Sequence, residues 1–109
     1  MSQETTPDWA TLQTDESKLV VAGISTVFGT TNAYQYNPAS IRVRVIDSAF
    51  EGRSPGERDA MVEPLIEALP EETQAKIINL YTFAPSELTQ FSRASMLNEE
   101  FEHPSQSML

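Results

Sequence analysis

Five carboxylates, Asp47, Glu51, Glu57, Asp59 and Glu63, lie close together in the chain. At such density paired acids can act as general acid and base or hold a divalent cation. A second acidic run, Glu99-Glu100-Phe101-Glu102-His103, ends in the single histidine and offers loose metal ligands. Arg42, Arg44, Arg53 and Arg58 are interleaved with the first group, and Tyr81 and Phe83 supply rings able to stack on nucleic-acid bases. Cysteine is absent, which removes disulfides, thiolate ligands and cysteine nucleophiles, and a Ser-His-Asp triad would have to recruit His103. Charge decides among the classes that remain. Lys plus Arg total 7 against 16 Asp plus Glu, a formal charge of −9, so the surface repels phosphate. Because acids alternate with the clustered arginines, no positive stripe forms, and nucleic acid is disfavoured as a partner. Clustered acids on a solvated helix flank are far commoner than carboxylate active sites, which makes an enzyme the weaker alternative. The final acidic run reads in the same way, as a solvated tail.

Only secondary structure can bring these groups together. A chain of 109 residues fits one domain, and a hydrophobic share of 39% fills a core only if the ends stay out of it. The expected division is a flexible segment over 1–14, a domain over 15–88 and a flexible acidic tail over 89–109. Within the first segment, Trp9 and Leu12 share one face of a helical turn that Asp8 can cap. Leu19–Phe28 is rich in β-branched residues and predicts a strand, with Gly23 marking a bulge. Gly29–Ser40 predicts a long polar connection. Ile41-Arg42-Val43-Arg44-Val45 alternates strictly, a half-buried strand with both arginines on its second face.

Ser54-Pro55-Gly56-Glu57 has the form of a capping box, and Met61, Val62, Leu65, Ile66 and Leu69 make the apolar stripe of the helix behind it. Pro64 is expected to kink that helix or divide it into two. Ile77–Phe83 predicts a third strand stopped by Pro85, with Tyr81 and Phe83 on one face. A strand, helical crossover and strand give parallel neighbours, whereas the first two strands pair antiparallel. The fold class is α+β, a small three-stranded mixed sheet with helices packed on one face. Beyond it, Leu88, Phe91, Met96, Leu97 and Phe101 offer a short amphipathic element able to dock on this protein or another. No apolar run reaches membrane-spanning length, and Met1–Pro7 lacks the features of a signal peptide, so a cytoplasmic location is expected.

Phe50-Glu51-Gly52-Arg53-Ser54, followed by Arg58 and Val62, resembles the signature of the BolA-like family. Ile78-Asn79-Leu80 and then Ala84-Pro85-Ser86-Glu87-Leu88 are similar to that family's last strand and closing turn, and the likeness spans residues 18–88. The resemblance implies an αββααβ fold of the type II KH-like arrangement, without the Gly-x-x-Gly nucleic-acid loop. It also implies a non-enzymatic partner of monothiol glutaredoxins or of related iron–sulfur and stress-response proteins. Gly52 would then permit a tight strand exit, Ser54 start the helix, and Arg58 lie beside the partner surface. The implied contact set is Arg53, Arg58, Asp59, Phe83 and Pro85.

One departure bears on metal chemistry. Asp59 stands where the family carries a histidine that helps bind a shared cluster, and Gly29–Ser40 lacks the Cys or His that would supply a second ligand. The expectation is therefore a protein-binding domain that holds no cluster, metal or other cofactor. Its alternatives are a KH-like nucleic-acid-binding regulator and, behind that, a carboxylate-based enzyme.

Overall fold

Thr14 and Ser17 close a capping box in which each hydroxyl accepts from the other residue's amide, at 3.1 and 2.9 Å. That box starts a helix, α1 (Asp15–Ile24), in the computed structural model, which describes residues 8–89 and 91–104. Ser17, Val20 and Ile24 recur at helical spacing and are completely buried. Leu19–Phe28, expected as a strand, is thereby corrected: it is helix as far as Ile24. Its valines favour strands locally, but the cap upstream and the buried stripe outweigh that preference. Gly23 marks no bulge; it lies where α1 meets Leu69, with a Cβ there falling 3.4 Å from the Leu69 side chain.

Gly29–Ser40, expected as a connection, instead contains a strand, β1 (Thr30–Asn37), antiparallel to β2 (Ser40–Ile46). The hairpin turns at Pro38-Ala39, where the Asn37 side chain accepts from the Ala39 amide at 2.9 Å. A polar strand is stable here because Ala33 and Tyr34 are both fully buried, one on each face of the sheet.

Asp47 caps the next turn by accepting from the Ala49 amide, and Gly52 takes a positive φ of 70° that favours glycine. Ser54 and Glu57 form the expected reciprocal box, at 3.2 and 2.8 Å, with Pro55 opening α2 (Pro55–Glu67). The helix runs through Pro64 undivided. The break between helices falls instead at Ala68–Pro70, before α3 (Glu71–Lys76). Lys76 and Thr73 both bond Glu16, tying α3 to α1. The chain then enters β3 (Ile77–Phe83), parallel to β2, and the sheet order β1-β2-β3 leaves β3 at an edge.

The α+β class and the three-stranded mixed sheet are as the sequence predicts. Helices, however, cover both faces. Val20, Ile24, Ile41, Val43, Val45, Phe50 and Val62 join α1 and α2 to one face. Tyr34, Tyr81, Phe83 and Phe101 form a second core on the other, closed by a 3-10 turn, Asp8–Leu12, and by α4 (Arg93–Glu102). Ser92 caps α4 through the Ser95 amide at 2.9 Å. The expected tail over 89–109 is corrected for Arg93–Glu102, because burial of Phe101 docks this stretch on its own sheet. That is one outcome foreseen for the amphipathic element. Trp9 likewise packs against Phe101 at 5.9 Å between ring centroids. The parts of the expected termini at 1–7 and 105–109 lie outside the described residues.

Candidate functional site

Capping of α2 sends the Arg58 side chain toward the end of β3. Its guanidinium donates bidentately to Glu87 at 2.8 and 2.5 Å, to the Thr82 carbonyl at 3.1 Å and to the Arg53 carbonyl at 2.9 Å. Glu87 also accepts from the Ala84 amide at 3.0 Å. The Arg58 guanidinium holds the Glu87 carboxyl below the usual carboxylate range, and Glu87 in turn raises Arg58. Arg58 is only 7% exposed. It joins α2, the end of β3 and the turn Pro85–Glu87, so its place in the expected contact set is that of a positioning group. Glu87 belongs to the Ala-Pro-Ser-Glu run noted in the sequence, but nothing in the spacing marks it as the partner of Arg58.

This clasp forms one end of a groove of about 730 Å³. Pro55 and Asp59 of α2 make one wall, the edge residues Asn79–Phe83 of β3 run along the floor, and Arg93, Leu97 and Glu100 of α4 face them. Of the expected contact residues, Arg58, Asp59 and Phe83 line the groove. Phe83 is nearly buried, whereas Arg53 and Pro85 are exposed and flank the clasp without lining the groove. Asp59 makes no ion pair among the described residues. Partial desolvation, with Glu63 nearby, lifts its carboxyl above the ordinary range. The sequence offers the α4 wall only as a short amphipathic element, because the run after Thr89 is polar; Ser92 as a cap, with Ala94, Leu97 and Phe101 behind it, is the signal that marks it as a helix.

The other candidate constellations separate. Asp47 accepts from the Gly29 and Ala49 amides, Glu57 from the Ser54 amide, and Glu51 from the Ser86 hydroxyl. These acids therefore cap turns and helices. Of the basic and aromatic groups suited to stacking, Arg42, Arg44 and Tyr81 lie on the face that α4 covers, while Arg53 is exposed and Arg58 is held in the clasp. Arg44 donates to Asn32, Asn98 and Glu102, Arg42 donates to Tyr34 and stacks on Tyr36 at 3.8 Å, and Tyr81 donates to Glu100 at 3.3 Å. Burial pushes the Tyr81 phenol up to about 12. Ligand atoms of Glu99, Glu102 and His103 converge within 4.8 Å, but Glu102 is held by the Arg44 cation and His103 lies 3.3 Å from Asp8.

The donor set does not fit the iron–sulfur cluster implied by the family resemblance. Position 59 presents a hard oxygen, the β1–β2 turn offers Pro38 and Ala39, and the single imidazole, of His103 at the far end of α4, lies beside Asp8. Compared with known proteins, the chain matches no family model and no curated protein.

Proposed function

We propose that this chain is a non-enzymatic protein-interaction domain that receives its partner in the groove between α2, the β3 edge and α4. By the BolA-like resemblance, the partner class is a monothiol glutaredoxin or a related iron–sulfur or stress-response protein. No cluster ligand would come from this chain. The observation that carries the reading is the groove itself, with the unpaired carboxylate of Asp59 on one wall and the open edge of a sheet along its floor. Engagement of Asp47, Glu51 and Glu57 with caps and turns supports a binding role over carboxylate catalysis.

The test is calorimetric titration of an iron-free monothiol glutaredoxin into the wild type, Asp59→Arg and, as a remote control, Glu71→Arg. Metal-free binding is expected, weakened about tenfold by Asp59→Arg and little changed by the control. No binding without iron, or equal binding by both variants, refutes it. Anaerobic cluster assembly with the same partner should yield no histidine-type spectrum, and Asp59→His alone should not restore one fully.

A further inference from the structure

Among the described residues, β3 has a strand neighbour on one side only. The Phe83 carbonyl accepts from the Asp47 amide, continuing the β2 side, whereas the Thr82 carbonyl turns the other way and accepts from Arg58. Alternation along the strand then aims the N–H and C=O of Leu80, and the N–H of Thr82, into the groove. Natural sheets usually cover or blunt such an edge, since a row of free amides is a template for another strand. Here Arg58 closes only the Thr82 carbonyl, and α2 and α4 stand on either side with the trough left open between them.

Two features identify what fits. The floor is a repeating backbone donor and acceptor pattern, which an extended chain matches and a compact ligand does not. Its length, from Asn79 to Phe83, takes about five extended residues. The walls supply the charge preference. With Arg58 neutralised by Glu87, the remaining groups are Asp59 and Glu100 against Arg93, in a chain whose formal charge is −9. Two copies pairing edge to edge would bring together two molecules that repel each other. We infer that the groove binds an extended segment carrying lysine or arginine, which adds to β3 as a fourth strand and places a basic side chain on Asp59. This rests on the proposed binding role and names the form the partner presents.

The experiment is an NMR titration of the full chain with a heptapeptide of alternating lysine and valine, beside its glutamate–valine twin. The lysine peptide is expected to slow amide exchange at Leu80 and Thr82 by tenfold or more, on the order of one new strand pairing. Asp59→Asn should weaken binding about fivefold, whereas Glu71→Gln, the same charge change on α3, should leave it within about twofold. The inference is overturned if the two amides stay unprotected at saturation, if the glutamate twin binds equally, or if both variants behave alike. Protection that is already present in the free chain and vanishes on dilution assigns the edge to self-pairing and also overturns it. A glutaredoxin that shifts the amides of Asp59, Arg93 and Leu97 but leaves Leu80 and Thr82 exchanging freely keeps the docking groove and removes strand addition.

Discussion

Arg58 shows how a charged side chain can be prominent in a sequence motif and still face inward. The sequence places it on a helix beside two acids, the setting of a solvated charge. The fold gives it four acceptors and covers it, with only Glu87 left partly open to water. Nothing within a few residues of Arg58 specifies this, because its partner lies across a crossover. Asp59, its neighbour, keeps the exposure expected of a contact residue. Arg58→Ala should therefore cost about 2 kcal/mol in urea denaturation, a value discounted for the exposure of Glu87. Glu87→Gln should cost less. The pH dependence has a fixed sign. The folded Glu87 carboxyl is depressed, so its stabilisation is present above the unfolded carboxylate value and is lost as pH falls through the folded one. Acid unfolding of Glu87→Gln should lack that contribution and show a shallower decline, measured against the wild type.

Strands with strict alternation and helices with a full capping box were legible, as Ile41–Val45 and Ser54–Glu57 demonstrate. Where local preference and tertiary burial disagree, burial decides the structure and the local pattern misleads. Leu19–Ile24 is locally strand-like but is wound into α1 by its cap and core contacts, and Thr30–Asn37 is too polar to resemble a core strand. The α4 segment was the hardest, since a single residue anchors most of its buried surface. Phe101 is fully buried against Tyr34 and Tyr81, at 4.8 and 5.4 Å between centroids. Phe91, one connection upstream, is 89% exposed and sits at a positive φ of 67°. The two phenylalanines should thus respond oppositely. Phe101→Ala should cost about 3–4 kcal/mol and change Trp9 fluorescence, because it empties the second core. Phe91→Gly removes little packing and relieves the backbone, so stability should hold or rise by up to about 1 kcal/mol. Equal losses in thermal melts would mean that α4 is not docked as described.

The molecule as a whole is a sheet sandwiched between two unequal layers, with its β3 edge facing the groove and a charge of −9 distributed over a small surface. That charge acts on folding and on binding with opposite signs. Within the folded chain, like charges repel, and salt screens them; the Arg58–Glu87 and Arg44–Glu102 pairs are screened less because their arginines are buried. Between this chain and a basic segment the same field attracts, and salt weakens it. Raising ionic strength from about 0.01 to about 0.15 M shortens the screening length from about 30 to about 8 Å, enough to separate the two effects. The urea midpoint of the free protein should rise with salt while the affinity for the lysine–valine peptide falls. If both rose, apolar contact with Leu80 and Leu97 would dominate docking and the acidic wall would be incidental. If both fell, the internal ion pairs would outweigh self-repulsion, and Arg58→Ala would then lose the larger part of that salt sensitivity.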